Sequence, residues 1–145
     1  MFHFGELRET VDSRGRVRIH GECSLHVQAP WRIVVSGHVA VGYRDMRDPP
    51  DGVPAEDFDP NEAPRTRRDE LLDELLSDAG PRSWIARRCS ATDFGDIRIF
   101  FDADAVLEVF PDSTASDDEY WRLLAPDGGH IVMEATGMIS LPPVG

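Results

Sequence analysis

Gly15-Arg16-Val17-Arg18-Ile19 and Gly95-Asp96-Ile97-Arg98-Ile99 open two stretches of the chain that repeat each other. Three further blocks follow each segment in the same order, and extra residues fall only between the blocks. The paired blocks are Leu25-His26-Val27 with Leu107-Glu108-Val109, Trp31-Arg32-Ile33 with Trp121-Arg122-Leu123, and Gly37-His38-Val39 with Gly129-His130-Ile131. Because glycine matches glycine and apolar positions match apolar positions, we predict a duplicated β unit whose inserts lie at strand connections.

The residues inside the repeat alternate as β-strands do. Val17 and Ile19 alternate with arginines, which gives a strand one buried and one exposed face, and Asp12 to Gly15 supplies the preceding turn. We predict a mainly β, α+β fold in which two antiparallel β-meanders form a sandwich or a partly open barrel. The 145 residues suit one domain, divided into a first β repeat at 1–43, an acidic proline-rich loop at 44–64, a helix at 65–80 and a second β repeat at 81–145.

The segment between the repeats has a composition of its own. Five of the eleven prolines fall between residues 44 and 64 together with seven acidic residues, which predicts a long loop because proline cannot donate to a sheet ladder. Thr66 and Asp69 then resemble a capping box, and four leucines follow at helical spacing. These features predict one helix of about fourteen residues that ends at Gly80-Pro81.

The net charge of −12 is unevenly distributed. Residues 1–43 carry four acids and five arginines, residues 44–80 carry twelve and five, and residues 81–145 carry eleven and five. Such an acidic field repels nucleic-acid phosphates and anionic membranes, and it favours either a basic partner or plain solubility. The acidic residues that we predict as partner contacts are Asp48, Asp51, Glu56, Asp57, Asp59, Asp117, Asp118 and Glu119.

Composition also bears on the cellular compartment. The chain has no long apolar run, and its first fifteen residues lack the pattern of a secretion signal, so we expect a cytoplasmic protein. Cys23 and Cys89 lie at positions that do not correspond in the repeat. Free thiols are the expected state in a reducing compartment, while a disulfide between the two cysteines stays open as an alternative.

Two short patterns resemble metal sites without completing one. His20, Cys23 and His26 are residue types that bind zinc, but His26 points to the opposite face of its strand and a fourth ligand is missing. The segment Asp57-x-Asp59-x-Asn61 matches the start of a calcium loop and lacks its later glycine and glutamate. We therefore predict no metal site and no cofactor.

Candidates for catalysis are equally incomplete. Ser36 lies near His38 and Asp127 lies near His130, but no nucleophile elbow, phosphate loop or dinucleotide fingerprint is present. His38 and His130 are also equivalent in the repeat, which favours a shared structural position. We predict that the protein is not an enzyme.

Trp31-Arg32 and Trp121-Arg122 are the clearest repeated pair. We expect the two indoles in the core and the arginines on the outer face, paired with carboxylates. In the alternative, Trp31 and Trp121 line a pocket between the repeats, and the protein is a small-ligand-binding β-barrel.

The second repeat and the strand before it resemble a set of small uncharacterised bacterial proteins of actinobacterial type. Gly95 to Phe101 matches their G-D-L-x-I-x-F strand, Leu107 to Ser113 matches L-x-V-F-P-D-S, and Glu119 to Leu123 matches E-x-W-R-L. An earlier Trp-Arg strand precedes that motif in them, as Ala29 to Ile33 does here. The likeness covers about half the chain, and the motif residues are structural.

Several of those proteins look like immunity partners in toxin loci, so the resemblance implies a binding role. Together with the charge, it predicts a non-catalytic acidic binding module that inhibits a basic toxin or another basic protein. Electrostatic steering would speed association with such a partner. A homodimer is a further possible assembly.

Overall fold

The computed structural model describes residues 1–11, 14–79, 84–102, 104–115 and 117–142. The strands in these ranges are β1 (Phe2–Phe4), β2 (Arg8–Val11), β3 (Val17–His20), β4 (Cys23–Val27), β5 (Trp31–Val35), β6 (His38–Gly42), β7 (Ala86–Ala91), β8 (Ile97–Phe101), β9 (Ala105–Val109), β10 (Glu119–Leu124), β11 (His130–Glu134) and β12 (Gly137–Leu141). The helix α1 spans Arg67–Ala79, and two short 3-10 helices span Tyr43–Arg47 and Ala55–Asp57. The predicted mainly β, α+β class is confirmed, and the sheets of the described residues do not close into a barrel.

The chain forms two compact units, and each is assembled from separate segments. Unit 1 contains Met1–Ala29, Asp93–Gly95 and Pro111–Gly145. Unit 2 contains Pro30–Thr92 and Asp96–Phe110. Within the described ranges, no helix combines the length and apolar character needed to cross a membrane.

Unit 1 has a five-stranded sheet in the order β1-β4-β10-β11-β12, with neighbouring strands antiparallel, and a separate two-stranded hairpin of β2 and β3. Leu25, Trp121 and Val132 are buried on this larger sheet. Full burial of an aliphatic side chain such as Leu25 or Val132 stabilises the fold by roughly 1.5–3 kcal/mol. The core of unit 1 therefore depends on its central strands β4, β10 and β11.

Unit 2 has a five-stranded antiparallel sheet in the order β6-β5-β9-β8-β7. Its central strand β9 alternates between buried and half-buried residues, with Ala105, Leu107 and Val109 each only 1% exposed. This period of two is the pattern of a strand with one face in the core. Helix α1 packs against β6 and the first 3-10 helix.

The repeated blocks occupy equivalent positions in the two large sheets. In unit 1, Trp121 of β10 pairs with Val27 of β4, and Leu123 pairs with Leu25 in the same ladder. In unit 2, Trp31 of β5 pairs with Val109 of β9, and Ile33 pairs with Leu107. The register is therefore equivalent in the two sheets: in each, the Trp-Arg strand of one repeat pairs with the Leu-x-Val strand of the other. Each sheet thus joins strands from both repeats.

The strand order within each repeat is therefore not a continuous meander. β4 does not pair with β3 or β5, and its neighbours are β1 and β10. In unit 2, the neighbour of β9 is β8, from the same repeat. In unit 1, the equivalent position beside β4 is occupied by β1. The short strand Phe2–Phe4 thus replaces β3 in the sheet, and β3 pairs with β2 alone.

The predicted helix forms inside its expected segment, and Thr66 and Asp69 are hydrogen-bonded to each other at its start. The Asp69 carboxylate accepts hydrogen bonds from the amide and the hydroxyl of Thr66, both at 2.9 Å. Burial alone would raise the pKa of Asp69, but these hydrogen bonds and Arg68 outweigh it and lower that pKa. The predicted stop at Gly80-Pro81 and the Asp12-Ser13 part of the predicted turn lie outside the described residues.

Candidate functional site

The acidic proline-rich loop lies at the surface of unit 2. All five acidic residues predicted there are exposed: Asp48, Asp51, Glu56, Asp57 and Asp59. Backbone and side-chain hydrogen bonds attach the loop to the first turn of α1. The Asp48 carbonyl accepts from the Arg67 amide at 3.0 Å, and the Asp51 amide donates to Glu70 at 2.9 Å. The acidic groups are therefore presented on a hydrogen-bonded segment.

A cavity of about 370 Å³ opens in this acidic segment. Val53 and Phe58 contribute apolar surface to it, and three carboxylates lie along it, from Asp57, Asp59 and Glu62. Arg65 also lines the cavity, and its guanidinium is bound to Asp73 at 2.7 Å. We call this cavity the acidic notch. An apolar wall beside carboxylates suits a side chain that has an aliphatic stem and a positive end.

The second predicted acidic segment belongs to unit 1 and differs in its availability. Asp117 and Asp118 are exposed, and Asp118 accepts a hydrogen bond from Ser113. The Glu119 side chain is only 16% exposed and binds Arg122 through both carboxylate oxygens, at 3.3 and 2.5 Å. Arg122 lowers the pKa of Glu119 through these bonds, burial opposes the shift, and Gln28 and His26 reinforce it. Glu119 therefore has a structural partner within its own sheet.

The two repeated tryptophans are buried, Trp31 at 8% and Trp121 at 5% exposure. The Trp121 indole donates a hydrogen bond of 2.7 Å to the Gly95 carbonyl within unit 1. Neither tryptophan is among the described residues that line the acidic notch or the cavity of unit 1 described below. The repeated arginines are paired as the sequence suggests, Arg32 with Glu108 at 2.7 Å and Arg122 with Glu119.

The zinc-like and catalytic candidates are separated or already bonded. Among the described residues, no group of three or more His, Cys, Asp or Glu side chains is placed to hold a metal ion. Cys23 and Cys89 are free thiols. The Asp127 carboxylate accepts from the Gly129 amide at 2.8 Å, which is a turn contact, and His130 contacts Arg122. Ser36 occupies a left-handed turn position with φ of 48°.

A larger cavity of about 710 Å³ lies in unit 1, and sequence reasoning missed it. His3, His20 and His130 line it together with Arg8 and Arg18. We call it the histidine groove. These residues are far apart in the chain, so no short motif indicates the groove. The alternation of basic residues along β3 was the one available signal.

No family model, no curated protein and no solved structure matches this chain.

Proposed function

We propose that the protein is a non-catalytic binding module that recognises a basic protein through the acidic notch. The observation that carries this proposal is the combination of apolar wall and carboxylates in one cavity. Val53 and Phe58 offer contact to an aliphatic stem, while Asp57, Asp59 and Glu62 neutralise a lysine or arginine head group.

The charge of the surrounding segment supports a basic partner. Residues 44–64 carry seven acidic residues and two arginines, a balance of −5. A concentrated negative field raises the rate of encounter with a cationic surface, and added salt reduces that rate. An inhibitor of a basic toxin, as the likeness to immunity proteins implies, gains from rapid association.

The test compares two variants of equal net charge. Asp57→Asn/Glu62→Gln removes two carboxylates from the notch, whereas Glu74→Gln/Asp93→Asn removes two exposed carboxylates elsewhere. Each variant and the parent protein are immobilised and incubated with lysate of the source cells, and retained proteins are quantified by mass spectrometry. We expect a basic protein that the parent and the Glu74/Asp93 variant retain and the notch variant loses.

Association kinetics with the retained protein complete the test. We expect the association rate to fall as salt rises, and the notch variant to bind roughly tenfold more weakly than the Glu74/Asp93 variant. Equal loss of affinity in both variants would mean that only the net charge of the protein matters, and not the carboxylates of the notch. A retained partner that is acidic, or an association rate that ignores salt, would contradict the proposal.

A further inference from the structure

The histidine groove concentrates imidazoles in one place. Three of the five histidines of the chain line it, and β1, the β2–β3 hairpin and the turn between β10 and β11 contribute its walls. Its volume of about 710 Å³ lies within the range of small-molecule sites, roughly 300–1,000 Å³. The groove lies entirely within unit 1 and is independent of the acidic notch in unit 2.

The groove is lined by more basic than acidic side chains, although the chain as a whole is strongly acidic. Arg8 and Arg18 line it, and Glu22 is the single carboxylate among its described lining residues. Glu22 already binds Arg8 at 2.8 Å. Among the described residues that line the groove, arginines therefore outnumber carboxylates by two to one.

The β2–β3 hairpin directs its basic face to this groove. Arg8 pairs with His20 across the two strands, and Arg18 follows on the same face because side chains alternate along a strand. All three residues line the groove. The opposite face of the hairpin carries Val11 and Val17, which are 69% and 61% exposed.

The hydrogen bonds at two imidazoles leave donors for a ligand. Nδ1 of His3 accepts from the Gly21 amide at 3.2 Å and lies 2.8 Å from the Ser24 hydroxyl, so a neutral His3 carries its hydrogen on Nε2. Nδ1 of His130 lies 3.3 Å from the Arg122 guanidinium, which can only donate. A neutral His130 therefore also carries its hydrogen on Nε2. Both rings retain one N–H group.

Apolar residues complete the walls of the groove. Leu124 and Pro126 come from the end of β10 and the turn after it. Small-molecule sites commonly combine such walls with a few polar groups that orient the ligand. A molecule that is complementary to this groove has an apolar body and hydrogen-bond acceptors with negative charge.

We propose that the histidine groove binds a small organic anion, a carboxylate or phosphate group attached to an apolar body. The arginines and the Nε2–H groups of His3 and His130 contact the anionic group, and the apolar walls contact the body. The local field agrees with this assignment. Burial, the α-amino group of Met1 and the charge of His20 all lower the pKa of His3, and a bound anion would raise it.

Histidine resonances provide a direct test with internal controls. The Cε1–Hε1 NMR signals of all five histidines are assigned by single His→Gln variants and followed during titration with phenyl phosphate, benzoate, inorganic phosphate and phenol. We expect phenyl phosphate or benzoate to shift the signals of His3, His20 and His130. The signals of His26 and His38 serve as controls, because neither residue lines the groove.

A charge-matched pair of variants sharpens the titration. Arg18→Gln should weaken phenyl phosphate roughly tenfold, whereas Arg44→Gln, at an exposed position outside the described cavities, should leave its affinity unchanged. We expect inorganic phosphate and phenol each to bind more weakly than phenyl phosphate. Absence of any shift, equal shifts at His38, phenol as effective as phenyl phosphate, or equal loss in both variants would overturn the proposal.

Discussion

The strands β3 and β8 have matching sequences and lie in different environments. In the second repeat, Ile97 and Ile99 of β8 are 5% and 8% exposed, because β8 is paired with β9 inside a five-stranded sheet. Their counterparts Val17 and Ile19 in β3 are 61% and 58% exposed, because β3 pairs with β2 alone. An alternating pattern thus predicts a strand and its two faces. Whether either face is buried depends on which strand occupies the neighbouring position in the sheet.

The position of β1 explains why β3 is exposed and β8 is buried. β1 lies beside β4 and aligns Phe2 with Leu25, where β8 aligns Ile99 with Leu107 in the other sheet. The β2–β3 hairpin is consequently left outside the larger sheet and instead borders the histidine groove. The two repeats therefore differ at this point: β8 is packed within its sheet, whereas β3 borders a cavity.

The largest expected effect separates the two isoleucines at equivalent positions. Ile99→Ala should lower the free energy of unfolding by about 2–5 kcal/mol, because it leaves a cavity in the core of unit 2. Ile19→Ala should change it by less than about 0.5 kcal/mol, since that side chain is already largely exposed. Urea unfolding followed by circular dichroism measures both. Equal losses would mean that β3 is packed as β8 is.

The glycines that precede β3 and β8 provide a second, smaller contrast. Gly15 and Gly95 both have positive φ, 75° and 91°, so alanine is strained at either position. A Cβ on Gly15 would meet no atom within 4 Å, whereas one on Gly95 would lie 3.0 Å from Met133 Cγ and 3.1 Å from Pro111 Cγ.

We therefore expect Gly15→Ala to cost about 1–2 kcal/mol of unfolding free energy from backbone strain alone. Gly95→Ala should cost about 1–3 kcal/mol more, because neighbouring side chains must also move. Thermal and urea unfolding of the two variants check the order. A Gly95→Ala protein as stable as Gly15→Ala would show that the crowding around Gly95 relaxes freely.

The smallest expected effect concerns the repeated arginines Arg32 and Arg122, because their carboxylate partners lie at positions that are not equivalent. Glu108 opposite Arg32 lies on the neighbouring strand, whereas Glu119 lies on the same strand as Arg122. The lowered pKa of Glu119 means that its contribution to stability is complete above the unfolded-state pKa. That contribution is lost as the pH falls through the lower, folded-state pKa.

Glu119→Gln should accordingly cost about 1 kcal/mol at neutral pH, a modest value because Arg122 remains partly exposed. The difference between parent and variant should shrink toward acidic pH, where the parent carboxylate is protonated. Urea unfolding at neutral pH and at about pH 3 measures it. Asp117→Asn, an exposed neighbour, is the control. A difference that stays constant with pH would contradict the role of the ionised carboxylate.

The sequence was sufficient for the elements that local patterns specify. The repeat predicted strands at β8 and β9, and Thr66 with Asp69 marked the start of α1. The sequence could not predict which strands pair. Phe2–Phe4 has only three residues and no periodicity that would indicate its pairing with β4. A meander was the natural expectation without that pairing.

The candidate sites follow the same division. The exposure of Asp57 and Asp59 was predictable from charge and proline content, since a carboxylate is rarely buried without a partner. The acidic notch could not be predicted, because it depends on where Val53 and Phe58 lie in an irregular segment. The histidine groove needs residues near positions 3, 20 and 130 brought together by tertiary structure.

The exchange of strands between the two repeats can be measured directly from interstrand backbone nuclear Overhauser effects. We expect contacts between Val27 and Trp121 and, in the equivalent register, between Val109 and Trp31. Contacts from β4 to β3 or β5, and from β9 to β10, would instead mean that each repeat folds as its own meander, and would contradict the account.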